Sequence, residues 1–210
     1  MNSRTTSIGV VLATTGHERL EFVLKSIFSQ VSSLDKVVIV DNSPRGVYER
    51  ISRLEVTSNV KILRKENQTG AADAYNLGLN DNTLDTVDFI AIASDDDVWQ
   101  PSKIEFQLAK ADVNKIIIGK AIYTLKNKKE GRIRPDRLKS QNEGILEYLY
   151  GNKPLLKNSR YLPAASILFP RGLKHLEFRR NSKIREDILW LHEAELLEYR
   201  IEQIDKILVF

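Results

Sequence analysis

Three consecutive aspartates, Asp95, Asp96 and Asp97, follow an apolar run and are the residues of this sequence best suited to chemistry. Adjacent carboxylates repel one another, and holding them in a cleft is costly unless a cation or hydrogen-bond donors compensate the charge. Mg²⁺ and Mn²⁺ supply that compensation, because they prefer carboxylate oxygens and leave room for phosphate oxygens. A solvated acidic loop is the simpler alternative, since negative charge also stabilises the start of a following helix.

A second acid, Asp41, closes another apolar run and is followed by Asn42, Ser43 and Pro44. A carboxylate at the end of a strand can accept hydrogen bonds from ribose hydroxyls or from a base N–H group. The same residues also form turns through hydrogen bonds from the side chain to the nearby backbone. Taken alone, Asp41 is explained by the turn.

Near the C-terminus, Glu186 and Asp187 open a predicted helix after a polar stretch. A carboxylate within hydrogen-bond reach of a hydroxyl can act as a general base. The alternative is a pair of acids that stabilises the first turn of the helix. His192 follows Asp187 by five positions and does not share its helix face, so we interpret it as a packing residue.

The residue Gly70 precedes an alanine-rich segment, 71–80, that is predicted to be helical. Backbone N–H groups at such a helix start can face a phosphate, but the sequence matches neither a P-loop nor a dinucleotide fingerprint. The aspartate loop also lacks the glycine and glutamate pattern of an EF-hand. Because the chain has no cysteine, disulfides, thiolate metal sites and a cysteine nucleophile are excluded, and any metal must bind oxygen or histidine.

The elements that position these residues alternate between strand and helix in the first half of the chain. β-Branched apolar runs predict strands, and apolar residues at helical spacing predict the helices between them. The predicted strands are 7–14, 36–41, 59–65 and 87–94, and the predicted helices are 17–30, 71–80 and 101–111. This order predicts a parallel sheet covered by helices on both faces. Thr14, Asp41 and Asp95 then lie at the carboxyl ends of strands, where such sheets bind ligands.

The second half of the chain is less regular. A strand at 115–125 leads into a polar stretch, 126–141, which we interpret as a mobile loop. A short helix at 143–151, a strand at 164–170, a last helix and a terminal strand follow. Basic residues outnumber acidic ones between 115 and 139, which indicates an anionic partner or, equally, a solvated surface loop.

Composition and length predict a single domain, 1–210, with an ordinary hydrophobic content of 42%. No apolar stretch approaches the roughly 18 to 20 residues that a membrane span needs, and the N-terminus is too polar for a secretion signal. We therefore expect a cytoplasmic protein, with the basic segment 120–139 able to contact an anionic membrane at its inner face.

Together these motifs, from "VVLATTGHER" through "SDDDVWQP" to "REDILWLHE", resemble the family 2 glycosyltransferases of the GT-A fold along the whole chain. The resemblance implies a single α/β domain with a Rossmann-like, mostly parallel sheet flanked by helices. It implies that residues 1–112 bind a nucleotide sugar and that residues 113–210 bind the acceptor and carry the catalytic base.

The resemblance also implies roles for single residues. Asp96 would bind Mn²⁺ or Mg²⁺, Asp95 would contact the ribose or the metal, and Asp97 would lie near the donor sugar. Asp187 would be the catalytic base, with Glu186 beside it. The other donor-binding residues that it implies are Thr14, Thr15, Arg19, Asp41, Asn42, Gly70 and Asn76.

Three positions depart from the family pattern. Asn42 replaces the second acid after the second strand, Tyr75 replaces a basic residue before Asn76, and Ser94 replaces the first acid of the Asp-X-Asp spacing. These changes leave the identity of the donor and the number of metal ligands open.

The function expected from the resemblance is a metal-dependent, inverting hexosyltransferase. It would move a sugar from a nucleotide-diphosphate sugar, expected to be a UDP-sugar, to a hydroxyl of a saccharide or lipid-linked saccharide. The expected pathway is the synthesis of a cell-surface polysaccharide or a glycolipid, and no nucleic-acid partner is expected. One alternative is a sugar-nucleotidyltransferase, although "ATTGHERLEF" is poor in the glycines and basic residues of its phosphate loop. The other is a non-catalytic module that binds nucleotide sugars.

Overall fold

The structure is a computed structural model that describes residues 6–53, 59–65, 69–124, 131–151, 162–180 and 184–210. Lys126, Lys128 and Lys129 of the predicted mobile loop lie outside the described residues, as does Lys183 before the last helix. Every structural statement below concerns the described residues.

The first half of the chain forms four parallel strands in the order β3-β2-β1-β4. These strands are β1 Ile8–Thr14, β2 Lys36–Asp41, β3 Val60–Arg64 and β4 Phe89–Ser94. In this register Thr14 lies beside Asp41, and Ala13 lies beside Ser94, so the polar strand ends meet at one edge. The predicted parallel sheet is therefore confirmed, and strand order reverses between β1 and β4.

Helices connect these strands as predicted, with one addition. They are α1 Leu20–Phe28, α2 Tyr48–Ser52, α3 Ala71–Leu79 and α4 Lys103–Leu108. The sequence indicated only a turn before Tyr48, because α2 is a single short turn with one buried apolar residue, Ile51. Pro101 and Ser102 form a turn before α4, which starts two residues later than predicted.

The second half of the chain extends the same sheet. Its elements are β5 Lys115–Tyr123, β6 Arg132–Arg134, α5 Ile145–Tyr150, β7 Leu168–Pro170, α6 Glu186–Leu196 and β8 Arg200–Val209. β7 is antiparallel to both β4 and β5, whereas β8 is parallel to β5. The last helix and the terminal strand thus form as predicted.

Two predictions for the second half need correction. Part of the predicted mobile loop is the strand β6, which pairs with the end of β5 and thereby satisfies backbone groups that a loop would leave to water. The predicted strand 164–170 is extended only at β7, because Ala164–Ser166 form one turn of 3₁₀ helix.

Hydrophobic residues alternate between the two faces of the sheet, as the pleat of a strand requires. Val11 of β1 packs in a core formed with α3, α5 and α6, and its neighbours Val10 and Leu12 pack in a second core formed with α1, α2 and α4. Both faces are therefore covered. None of the helices in the described ranges is both long enough and apolar enough to cross a bilayer.

Candidate functional site

The crevice at the reversal of strand order is closed at its base by Asp95, which follows β4. One carboxylate oxygen of Asp95 accepts hydrogen bonds from the Thr14 hydroxyl at 2.7 Å, the Thr15 backbone N–H at 2.7 Å and the His17 backbone N–H at 3.1 Å. Thr14 and Asp95 therefore meet at the strand ends, where the sequence predicted a site. Since these donors compensate the charge on that oxygen, only the other Asp95 oxygen is available to a metal or ribose.

The next two acids are less enclosed. Asp96 is exposed, and Asp97 is partly buried and accepts a hydrogen bond from the Ser94 hydroxyl at 2.6 Å. Burial raises the pKa of Asp97, and the charge of Asp96 adds to that rise, whereas Arg19 and Arg185 oppose it. Ser94, which departs from the family pattern, thus holds the last acid of the triplet in place.

Asp96 and Asp97 are the carboxylates best placed to share a cation. Both offer the hard oxygen ligands that Mg²⁺ and Mn²⁺ prefer, and the charge of Asp96 raises the pKa of Asp97, a repulsion that a bound cation would compensate. Within the described ranges no three Asp, Glu or His side chains converge as metal ligands do. The residues fit a metal that takes its remaining ligands from phosphate and water.

Asp41 is bound to the protein on both of its oxygens. One oxygen accepts from the Ser43 hydroxyl at 2.6 Å, and the other accepts from the Val47 backbone N–H at 2.9 Å and pairs with Arg64 at 2.7 Å. The pKa of Asp41 is lowered because these donors outweigh the effect of burial, which raises it. The contacts of Asp41 with Ser43 and Val47 are those expected of a turn, and Arg64 adds an ion pair from β3.

The neighbouring Asn42 fixes the loop that leads into α3. Its side-chain amide donates to the Thr69 carbonyl, and its side-chain oxygen accepts from the Thr69 backbone N–H at 3.1 Å. Gly70 is the N-cap of α3 and is exposed beneath Arg180, whose Nε lies 3.5 Å from where a Cβ on Gly70 would be. Asn42 therefore fixes the backbone of Thr69, the residue directly before Gly70.

The predicted base, Asp187, is the second residue of α6 and is only 2% exposed. One of its oxygens pairs with the Arg185 guanidinium, and the other accepts from the Ile188 backbone N–H at 2.9 Å. Burial raises the pKa of Asp187 to about 6 against the opposing charge of Arg185, and Glu186 adds to the rise. A carboxylate with such a pKa can accept a proton near neutral pH.

Tyr75 of α3 is a buried residue on which the acids after β4 and those that begin α6 all act electrostatically. Its side chain is 4% exposed, and its pKa is raised first by burial and then by the charges of Asp187, Asp97, Glu186 and Asp96. A single hydroxyl thus senses the acids that follow β4 and those that begin α6. The sequence identified Tyr75 only as a departure from the family pattern.

A short strap, residues 176–180, holds α6 against α3. Asn76 of α3 donates to the Phe178 carbonyl at 2.9 Å and accepts from the Phe178 backbone N–H at 2.8 Å. The Phe178 ring packs between Tyr75 and Trp190, with 5.2 Å between ring centroids on each side. The Asn76 amide therefore positions the strap, and its predicted contact with the donor stays a prediction.

Two further cations belong to the cleft. Arg19 is exposed at the start of α1, and Arg185 lies between Asp187, which it contacts, and Asp97, whose pKa it influences. Thr15 is exposed beside them. Sequence reasoning did not single out Arg185, although a basic residue directly before the acid pair was the available signal.

A cavity lies away from this cleft. Its volume is about 880 Å³, and it opens where β5 and β8 begin, at the edge of the sheet opposite Asp95. Its charged side chains are largely paired with one another, as in Lys115–Glu202 and Lys139–Glu195. No residue that the sequence predicted for the site lines this cavity.

Comparison with known proteins identifies the family. The family model for glycosyl transferase family 2 matches residues 10–174. The matched region contains the strand ends and the aspartate triplet and stops before α6, so the role of Asp187 depends on geometry. No curated protein matches the sequence.

Several solved structures share the fold. TarS 1–349 from S. aureus, solved with UDP, superposes with a TM-score of 0.69 and 16% identity over 97% of this chain and 60% of that one. The complex of the same protein with UDP-GlcNAc gives a TM-score of 0.70 over 58% of its chain, at 16% identity and 97% coverage of this chain. The mannosyltransferase PcManGT from Pyrobaculum calidifontis, solved with GDP-Man and Mn²⁺, gives 0.65 and 15% identity over 98% of this chain and 56% of its own.

This chain therefore spans less than two thirds of the length of these proteins. The predicted GT-A fold is confirmed by the strand order, the family match and these superpositions. Because the family model covers most of the sequence, the chain belongs to glycosyl transferase family 2.

Proposed function

We propose that this protein is a metal-dependent, inverting glycosyltransferase that moves a hexose from a nucleotide-diphosphate sugar to an acceptor hydroxyl. The observation that carries the proposal is that the aspartate triplet follows β4 at the reversal of strand order, while Glu186 and Asp187 begin α6, which packs against α3 through the strap that Asn76 holds. An acid pair for the diphosphate end and a base for the acceptor are the two groups that this reaction needs.

The donor would occupy the crevice beyond β1 and β4. Thr15 and Arg19 are exposed there, and Arg19 offers a cation for the diphosphate. UDP is the nucleotide that we favour because TarS was solved with UDP and UDP-GlcNAc, and GDP is the second choice because PcManGT was solved with GDP-Man.

Mn²⁺ or Mg²⁺ would be held by Asp96, with Asp97 or the second oxygen of Asp95 as a further ligand. Bound there, the ion would neutralise the charge of the departing diphosphate. The protein itself orients Asp95 through Thr14 and the backbone N–H groups of the turn after β1, and Asp97 through Ser94.

Asp187 would supply the base. The acceptor oxygen forms a bond to the anomeric carbon, its proton passes to the Asp187 carboxylate, and the bond between that carbon and the diphosphate oxygen breaks. Attack on the face opposite the leaving diphosphate inverts the anomeric configuration, and no covalent enzyme intermediate forms. The raised pKa of Asp187 suits this step, since the carboxylate must be ionised to start and basic enough to take the proton.

The acceptor is proposed to be a saccharide or a lipid-linked saccharide of cell-surface synthesis, used at the cytoplasmic side of the membrane. Exposed Arg132 and Ile133 of β6 support contact between the basic segment and anionic phosphates. Co-sedimentation with vesicles of phosphatidylglycerol, compared with neutral phosphatidylcholine, tests this part. Equal sedimentation with both would contradict it.

The function is tested by melting curves of the protein with UDP-GlcNAc or GDP-mannose, with and without Mn²⁺. Binding to the folded state raises the melting temperature in proportion to occupancy. We expect a shift that needs Mn²⁺ and is lost in Asp96→Ala. A shift that does not need Mn²⁺ would contradict the role of Asp96. Release of pyrophosphate from a nucleoside triphosphate and a sugar 1-phosphate would instead identify a nucleotidyltransferase. Binding without turnover on any acceptor would identify a binding module.

A further inference from the structure

Arg185 stands between the two halves of the proposed reaction. Its guanidinium is paired with the buried Asp187 carboxylate, and its charge also reaches Asp97 at the diphosphate side. The Arg185 side chain is 37% exposed, so it lies at the wall of the cleft while the Asp187 side chain, at 3%, lies beneath it. One arginine therefore faces both the base and the position expected for the donor phosphates.

The ion pair with Arg185 makes Asp187 a weaker base. A guanidinium on a carboxylate favours its ionised form and occupies an oxygen that would have to receive the proton. The other oxygen already accepts from the Ile188 backbone N–H. In the contact that the structure describes, neither oxygen of Asp187 is fully available to an acceptor hydroxyl.

We propose that Arg185 is a positioning residue that leaves Asp187 and pairs with the diphosphate of the donor when the donor binds, so that donor binding frees the base. This inference rests on the proposed function. A guanidinium matches two phosphate oxygens as well as it matches a carboxylate, and a diphosphate carries more charge than Asp187 alone. Arg179 pairs with Glu193, which has no proposed role in the reaction, so we expect no exchange of partners at Arg179 when the donor binds.

Donor and proton must then bind with positive coupling. Once Arg185 has moved, burial and the Glu186 carboxylate of its own helix both favour the protonated form of Asp187, and the Ile188 backbone N–H still favours the ionised form. Its affinity for a proton therefore rises on donor binding, and by linkage the donor binds with uptake of a proton near pH 6 to 7. A merely structural ion pair would give no such uptake.

The test is calorimetric titration of the Mn²⁺-saturated protein with UDP-GlcNAc, or with GDP-mannose if that is the sugar that binds. Runs near pH 6.5 in two buffers of different ionisation enthalpy measure the protons exchanged, and Mn²⁺ saturation keeps Asp97 in one state. We expect proton uptake by the wild type, its loss in Arg185→Gln, and donor affinity about tenfold weaker in that variant because a charged hydrogen bond is removed. Arg185→Lys should keep the uptake, since lysine can make the same exchange.

Two further variants sharpen the result. Asp187→Asn should abolish the uptake and should strengthen donor binding, because it removes both the titrating group and the carboxylate that competes with the diphosphate for Arg185. Arg179→Gln is the matched control, because it also breaks an ion pair between an arginine and an acid of α6, here Glu193. This variant should behave as the wild type. Melting temperatures of all variants establish that each is folded.

Unchanged donor affinity or undiminished proton uptake in Arg185→Gln would overturn the inference and leave the proposed function intact. Failure of the wild type to bind either nucleotide sugar would overturn the proposed function, and this inference with it.

Kinetics provide a second readout. In the wild type the acidic limb of kcat, which reports the donor complex, should lie at higher pH than the acidic limb of kcat/KM, which reports the free enzyme. In Arg185→Gln the two limbs should coincide.

Discussion

At the scale of single residues, the cleft combines acids whose environments differ. Asp95 is buried and compensated by four donors, whereas Asp187 is buried with a single cation, so burial raises the pKa of Asp187 to about 6. Groups with such perturbed pKa values in a cleft are functional candidates. This contrast supports the proposed role of Asp187 in proton transfer and shows that Asp95 joins the ends of β1 and β4.

The first prediction concerns the pH dependence of Asp187. Because the base must be ionised, the transferase rate should fall as pH decreases through about 6, where Asp187 takes up its proton. Asp187→Asn should lower kcat by roughly 10²- to 10⁴-fold, the usual contribution of a general base. The limb near pH 6 belongs to the free enzyme and is measured by kcat/KM for the donor between pH 5 and 8, and kcat at saturating donor measures the effect of Asp187→Asn.

Glu186→Gln is the matched control, since it changes the adjacent acid and leaves the base in place. It should retain the acidic limb, shifted slightly to lower pH because a charge that raises the pKa of Asp187 has been removed. An Asp187→Asn variant with wild-type turnover would refute the assignment of the base.

Several side chains in the site were predicted by type and position, although their partners were not. The sequence placed Thr14, Asp41 and Asp95 at strand ends, and these ends do meet. The partners of Asp41 and Asn76, Arg64 and Phe178, lie far away in sequence. Periodicity gives no information on such pairs, because it describes one element at a time.

At the scale of elements, the strap at 176–180 links α3, in the parallel half of the sheet, to α6. The Phe178 ring stacks on Trp190 and contacts the tilted Tyr75 ring on its other side, and the Trp190 indole N–H donates to the Leu176 carbonyl at 2.9 Å. Short loops between helices carry no periodic signal, and their contacts follow from packing. The orientation of α6 could therefore not be predicted from the sequence.

The second prediction tests this link through Asn76. Asn76→Ala removes two hydrogen bonds and leaves both polar groups of Phe178 unpaired, which should lower the free energy of unfolding by about 1 to 3 kcal/mol. Urea unfolding followed by tryptophan fluorescence measures the loss, because Trp190 lies in the same stack.

Asn76→Asp is the control for this second prediction. It keeps the acceptor for the Phe178 N–H but places a carboxylate oxygen against the Phe178 carbonyl, so it should not recover the stability lost in Asn76→Ala. Equal stability of Asn76→Ala and the wild type would show that the strap does not depend on this amide.

At the scale of the whole molecule, alternation of strand and helix predicted the parallel half of the sheet because four β-branched runs are separated by helical segments. The second half was harder to predict since β6 and β7 are three residues each and make their contacts with distant strands. Strands this short contain too few residues for alternation to be recognised. Family resemblance, rather than periodicity, indicated how this half completes the domain.

The third prediction concerns a buried lysine that ties α4 into the core and affects the stability of the whole molecule. Lys103 is 0% exposed, and its ammonium donates to Gln107 at 2.8 Å and lies 3.9 Å from the centroid of the Trp99 ring. Burial lowers its pKa well below the ordinary value of 10.5. Between the lowered pKa and 10.5 the unfolded chain binds a proton that the folded chain does not.

Stability therefore increases with pH across that window, with a slope of at most about 1.4 kcal/mol per pH unit from this one group. Below the lowered pKa the folded chain also carries the proton, and the slope from Lys103 disappears. In Lys103→Met the group is absent from both states, so the free energy of unfolding of the wild type should rise relative to this variant as the pH is raised from 7 to 9. Urea unfolding at pH 7, 8 and 9 measures the difference, and Lys110→Met, which removes an exposed charge, controls for the change in net charge. A constant difference between wild type and Lys103→Met over this range would mean that the buried lysine keeps its proton in the folded protein, stabilised by the Trp99 ring more strongly than burial opposes it.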